Sequence, residues 1–229
     1  MVIFTYNFRH RKSSDFIIAC LINNIKIDLI IASPKKQLKV QKSVLRSKIK
    51  SDDIFEPLDI AKRFNLNYIV ADHNSNLAAD KINELKPDIG LIAGARILKK
   101  NIIDKFKIGV VNFHPGDIPK IRGLNSILKT IKLRERICVT SHLIDEKIDL
   151  GWIIEKQYIK MDMDDTIFDI TQKVYKLQIE MIKSTLLLVE EKKYHKIESL
   201  NTVYDSEFPY DNLSEFNIDF DVFKKIIIK

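Results

Sequence analysis

The sequence predicts an α/β fold built on a mostly parallel sheet, and three observations carry that prediction. Short β-branched apolar runs alternate with amphipathic stretches through the first two-thirds of the 229 residues, the rhythm of β-α-β units. A hydrophobic fraction of 45% beside 30% charged residues is that of an ordinary globular protein long enough to bury a core. All six glycines (90, 94, 109, 116, 123 and 151) fall in one central stretch, so the turns that need glycine gather there.

In chain order, the apolar runs predict strands over 2–6, 27–32, 67–71, 89–93 and 108–112. The amphipathic stretches between and after them predict helices over 14–23, 57–65, 75–85, 99–105 and 124–132. Arg136 to Ile144 and Trp152 to Lys160 read as two further strands around the loop Asp145 to Gly151. From Asp165 to Glu190 the apolar residues Ile167, Ile170, Val174, Leu177 and Met181 recur every three or four positions, which is helical spacing. Thr166 with Asp169 three residues later supplies a capping box for that helix. Residues 1–192 are expected to form the main domain. Residues 193–229 form a C-terminal extension packing on it, with a short final helix or strand over Phe220 to Ile228.

No apolar run approaches the roughly 18 residues that cross a bilayer. Met1-Val-Ile-Phe-Thr-Tyr has no basic residue ahead of its apolar run and no small-residue cleavage site, so it reads as a buried strand, and a cytoplasmic location is expected. Cys20 and Cys138 sit in apolar segments without metal-ligand spacing and read as buried thiols. No metal site is expected. The net charge of +7 is unevenly spread: residues 35–50 hold seven basic side chains and no acid, whereas residues 201–221 hold six acids and no Lys or Arg. Two solvated surfaces, or a basic rim that draws in an anionic substrate, both account for this. The segment after the first strand, Asn7-Phe-Arg-His-Arg-Lys-Ser-Ser, lacks the glycines of a dinucleotide fingerprint or a P-loop.

The chemistry gathers at Asn112-Phe-His-Pro-Gly116. In an extended chain Asn112 and His114 point to the same side, and Pro115 holds His114 extended. Gly116 allows a tight departure at the carboxyl end of a strand, where open α/β sheets bind ligands. Asp149 lies in a loop just before Gly151, so it is either an aimed carboxylate or an ordinary turn residue. An Asn donor, a His and an Asp suit acyl transfer to an amine. Asn and a protonated His would donate to the oxyanion, while Asp raises the His pKa and accepts the amine proton. That role requires His114 and Asp149 within hydrogen-bonding or one-water reach.

Asn112-Phe-His-Pro-Gly-Asp-Ile-Pro-Lys-Ile-Arg122-Gly123, followed by Val139-Thr-Ser-His142 and Ile148-Asp149-Leu-Gly151, resembles the signature of the 10-formyltetrahydrofolate-dependent formyltransferases over roughly residues 66–192. The resemblance implies a Rossmann-like, twisted sheet with helices on both faces and a catalytic trio of Asn112, His114 and Asp149. It implies that Ala93, Gly94, Ala95, Arg96, Ile97 and Leu98, with Ile144, Asp145 and Glu146 opposite, hold the folate co-substrate. Arg122 either holds the His-Pro-Gly loop by ion pairing or touches ligand, and Gly116 stands beside it.

Family members that act on glycinamide ribonucleotide carry a glycine-rich phosphate loop that this chain lacks, and those that act on methionyl-tRNA carry a further C-terminal barrel. The closest resemblance in build is to single-domain enzymes acting on nucleotide-linked amino sugars for surface polysaccharides. On that reading Asn7, Arg9, His10 and Arg11 replace the glycine loop in binding anions, unless they are simply a solvated basic loop. His73 and Asn74 would line the acceptor pocket. The expected partners are a small-molecule amine and a possible second copy of the chain. The rival readings are a phosphoribosylglycinamide or methionyl-tRNA acceptor, hydrolysis of formyltetrahydrofolate, and a non-enzymatic, anion-binding or nucleic-acid-binding protein.

Overall fold

A computed structural model describes residues 1–35, 55–146, 149–197 and 209–228. The basic stretch 35–50, apart from Lys35, lies outside the described residues, as do Lys147, Ile148 and residues 201–208 of the acidic tail. The elements run β1 (Val2–Tyr6), α1 (Arg11–Ile22), β2 (Leu29–Ser33), α2 (Pro57–Arg63), β3 (Tyr68–Val70), α3 (Asn76–Leu85), β4 (Ile89–Ile92), α4 (Lys100–Ile103) and β5 (Gly109–His114). They continue as α5 (Ser126–Lys132), β6 (Cys138–Leu143), β7 (Trp152–Tyr158), α6 (Ile167–Glu190), β8 (His195–Lys196) and α7 (Leu213–Ile227).

One eight-stranded sheet holds them in the order β3-β2-β1-β4-β5-β6-β7-β8. The first five strands in that order pair in parallel, and β6, β7 and β8 join antiparallel. The parallel strands are buried on both faces, and their residues alternate between two cores with the period of two that a pleated strand imposes. Ile3, Ile30, Val111 and Phe113 face a core with residues of α1, α2, α5, α6 and α7. Val2, Phe4, Leu29, Ile31 and Val110 face a second core with residues of α3 and α4. Helices therefore cover both faces of the sheet.

Several boundaries move from their expected places. Helix α1 begins at Arg11 rather than 14, because the His10 ring accepts from the Ser13 N–H and caps it. Helix α4 is a single turn rather than a helix over 99–105. Strand β5 runs on to His114, because antiparallel pairing of Asn112 with His142, Phe113 with Ser141 and His114 with Thr140 keeps the chain extended. Helix α6 starts at Ile167 with both halves of the Thr166–Asp169 capping box formed. The final helix starts at Leu213, earlier than expected, and lays Phe216, Phe220 and Phe223 into the larger core. The edge strand β8 has no signal in the sequence, since its two residues hold their place by pairing with Trp152 and Ile153.

Candidate active site

At the carboxyl ends of β4 and β5 two cavities meet. The larger, about 770 Å³, is lined by Ala95 to Ile97, Asn112 to Pro115, Gly123 to Leu128, Asp149, and Ile167 and Thr171 of α6. The smaller, about 180 Å³, is lined by Ile92, Ala95 to Leu98, Asn112, Ile144 to Glu146 and Asp149. Asn112 and Asp149 line both. Another cavity, at the far ends of β1 and β4 around Met1 and Leu186, holds none of these groups.

The local sequence builds this corner from the backbone outward. Phe113 turns to the core and meets Phe16 edge-on at 5.7 Å, which leaves Asn112 and His114 on the opposite face of β5. His114, 4% exposed, donates from Nε2 to the Ile121 carbonyl at 2.9 Å. Gly116 makes that contact possible, since a Cβ there would lie 2.9 Å from His114 Nε2 and 3.2 Å from the Ile121 oxygen. The other ring nitrogen, Nδ1, lies 3.4 Å from Asp149 Oδ2. The same oxygen accepts from the Gly123 N–H at 2.7 Å, so the loop after the His-Pro-Gly turn aims the carboxylate. Asp149 adopts a left-handed φ of 50° to reach this place.

Burial holds the His114 pKa below the ordinary imidazole value, against the raising effects of Asp149 and the Ile121 carbonyl and with help from Lys12 and Lys129. Each ring nitrogen nevertheless faces an acceptor, the Ile121 carbonyl at Nε2 and Asp149 at Nδ1, an arrangement that suits the protonated ring while burial opposes it. With Nε2–H donated to a carbonyl, Nδ1 is the nitrogen left to take up or release a proton, and it faces Asp149. Lys12 is itself pushed down to about 8 by burial, with its ammonium on Gln178 at 2.9 Å.

Other residues singled out in the sequence sit as follows. Ala95, Arg96, Ile97, Leu98, Ile144, Asp145 and Glu146 all line the smaller cavity. Ala93 and Gly94, expected to hold folate, line neither cavity: both amides donate to the Phe4 carbonyl, Ala93 is buried in the larger core, and a Cβ on Gly94 would meet Ser13, Tyr6 and His10. Asn74 braces the cavity wall, donating to the Ile97 carbonyl at 3.0 Å and accepting from the Lys99 N–H at 2.8 Å. His73 is 3% exposed, within hydrogen-bonding distance of the Thr5 and Ile31 carbonyls, and clips β1 to β2 instead of lining either cavity. Arg122 faces a separate basic recess with Lys120, Lys129 and Lys132.

The first loop is engaged within the protein. Asn7 accepts from the Tyr68 hydroxyl at 2.8 Å, and Arg9 lies 3.5 Å from Glu56. Arg11 donates to Gln172 at 3.0 Å, pairs with Asp15 at 3.4 Å and stacks over Tyr175. His10 caps α1 as a neutral ring, its pKa lowered to about 4 by burial and by Lys12.

Sequence reasoning missed Leu124, Ile127, Ile167 and Thr171 as cavity walls, and missed the bond between the Asn112 side-chain amide and His142 at 3.2 Å. The periodicity that marked α6 could have flagged Ile167, but no local signal shows which helix end meets β5. Among the described residues no group of three or more His, Cys, Asp or Glu side chains could hold a metal ion, and no helix is long and apolar enough to cross a membrane.

A sequence model of the formyl transferase family matches residues 10–186, more than half of the chain and all of the residues that surround the two cavities. The chain belongs to the formyl transferase family. It is 35% identical over 145 residues to the methionyl-tRNA formyltransferase of Clostridioides difficile, covering 62% of this chain and 46% of that protein. It is 29% identical over 185 residues to the bifunctional polymyxin resistance protein ArnA of Wigglesworthia glossinidia brevipalpis, covering 78% of this chain and 26% of that protein. The chain thus spans less than half the length of either relative. Among solved structures, a sugar N-formyltransferase from a Shewanella species superposes with a TM-score of 0.63 at 17% identity, over 96% of this chain and 85% of that one. An N-formyltransferase of Helicobacter canadensis, solved with folinic acid and dTDP-3-aminofucose, gives 0.62 at 22% identity, over 96% and 78%. These identities establish a shared formyltransferase fold.

Proposed function

We propose that this formyl transferase family member moves the formyl group of 10-formyltetrahydrofolate directly to a primary amine, and that the amine belongs to a nucleotide-linked amino sugar. The observation that carries the reaction is the meeting of two cavities at Asn112 and Asp149, with His114 between proton acceptors beside them. Such a junction lets two bound molecules react without a covalent enzyme intermediate, and holding both converts a bimolecular step into a local one. In the smaller cavity Ile92, Ile97, Leu98 and Ile144 offer apolar walls, and Asp145 and Glu146 offer acceptors, a set that fits a flat pteridine carrying N–H donors.

Asn112 donates an N–H to the formyl oxygen as the amine nitrogen bonds to the formyl carbon and that oxygen gains negative charge. His114 takes the amine proton at Nδ1, and the imidazolium so formed is held between Asp149 and the Ile121 carbonyl. His114 then returns that proton to the departing folate nitrogen as its bond to the formyl carbon breaks. The products are a formamide and tetrahydrofolate.

The acceptor reading is supported by the complex of the Helicobacter canadensis enzyme with a dTDP-linked amino sugar on the same fold. The 35% identity to the Clostridioides difficile enzyme favours a second reading, in which the amine is that of methionyl-tRNA. Incubation with 10-formyltetrahydrofolate and either dTDP-3-aminofucose or methionyl-tRNA, followed by mass spectrometry and tetrahydrofolate release, separates the two. Formylated sugar is expected. Formylation of methionyl-tRNA alone overturns the sugar reading, and formate release with no amine present overturns group transfer itself.

A further inference from the structure

We infer that His142 is a positioning residue that fixes which end of the Asn112 amide faces the reaction. The inference rests on the catalytic reading of Asn112 and on a chain of hydrogen bonds that admits one arrangement. His142 is fully buried on β6, directly across the antiparallel pair from Asn112, next to a register irregularity between Ser141 and His142. Its Nδ1 lies 2.9 Å from the Leu150 carbonyl oxygen. A carbonyl only accepts, so Nδ1 carries the proton.

Burial lowers the ring's pKa to about 4, so at neutral pH there is one ring proton and Nε2 is a bare acceptor. The side-chain amide nitrogen of Asn112 lies 3.2 Å from that Nε2. Only the NH2 end satisfies it. An inverted amide would set two acceptors against each other in a buried place, and the opposite histidine tautomer would do the same at the Leu150 carbonyl. Asn112 is therefore left with one N–H and its carbonyl oxygen for the two cavities.

The arrangement couples three parts of the site through one loop. Leu150 stands between Asp149 and Gly151, so the segment that delivers the carboxylate also delivers the carbonyl that sets the tautomer. Gly151 holds φ at +108°, and a Cβ there would fall 2.0 Å from the Leu143 oxygen, so the loop can run this close to β6 only with glycine there. Loss of His142 would free the amide to turn its oxygen toward a developing oxyanion.

Imidazole ¹⁵N NMR of the full chain at neutral pH should show His142 as the neutral Nδ1–H tautomer, and exchange of an Asn112 side-chain amide proton should be slowed. The variant His142→Leu should abolish that protection and lower turnover with 10-formyltetrahydrofolate and dTDP-3-aminofucose about 10- to 100-fold with KM little changed. His142→Gln, which offers an acceptor near the Nε2 position, should restore most of both. In an Asn112→Ala background His142→Leu should add no further loss, because the two act as one unit. An Nε2–H tautomer or an imidazolium in the native protein, unchanged Asn112 exchange in His142→Leu, or fully additive losses would each overturn the inference. If Asn112→Ala itself keeps full turnover, the catalytic reading of Asn112 fails, while the tautomer and exchange results still decide whether His142 orients the amide.

Discussion

The loops that follow β1 and β5 both leave the carboxyl ends of parallel strands and make opposite use of their polar side chains. After β5, pairing with β6 fixes the strand, His114 donates to the Ile121 carbonyl and Asn112 to the buried His142 ring, and each keeps a polar atom for the cavities. After β1, Arg11 is held by Asp15, Gln172 and Tyr175, and His10 caps a helix. One end commits part of each polar side chain to an anchor and leaves the rest to act. The other is anchored through its side chains. A polar residue near a strand end is thus a candidate for chemistry only when something else holds it in place.

The sharpest way to break this contrast is at the trio. His114→Ala and Asp149→Asn should each lower kcat about 10²- to 10⁴-fold with a melting temperature close to that of the parent, read by initial rates and calorimetry. Near-normal turnover in either would remove the β5 loop from the chemistry.

Gly151→Ala tests the loop that delivers Asp149. The strained φ and the collision with the Leu143 carbonyl should destabilise the fold by about 3 kcal/mol in chemical denaturation.

Acid should expose the capping role of the β1 loop. His10 and His142 both have folded pKa values of about 4, below the ordinary 6.5, so the unfolded chain binds more protons between those values. Their contribution is fully present above about pH 6.5. It is lost as pH falls toward 4, on the order of 1–3 kcal/mol for each ring, and His10→Asn should flatten that slope in urea titrations at stepped pH.

Gly116→Ala pushes a methyl against His114 and should lower kcat about 10-fold while KM for the formyl donor stays within twofold. The smallest effect is expected from Arg11→Ala, roughly 0.5–1 kcal/mol of stability with KM for dTDP-3-aminofucose within twofold. A tenfold rise in that KM would give the β1 loop a ligand-binding role after all.

Much of the fold was legible because apolar periodicity reports backbone geometry directly. The alternation of Val2, Ile3 and Phe4 between two cores and the three-and-four spacing along α6 follow from pleat and helical pitch alone. The Asn112 and His114 pair was legible for the same reason, helped by Pro115. The shortness of helix α4 and the existence of strand β8 were not, because one turn or two residues carry too little pattern and are held by tertiary contacts.

By itself the sequence determined the α/β class, the strand end that carries Asn112 and His114, and a carboxylate before Gly151. Tertiary structure alone decided what each charged or titratable group does. It lowered the proton affinity of His114 by burying it, set Asp149 against that effect, turned His10 into a cap and gave His142 an amide to hold. Periodicity is a property of neighbours along the chain, whereas proton affinity and hydrogen-bond direction depend on groups brought near from elsewhere, as Leu150 and Asn112 are to His142.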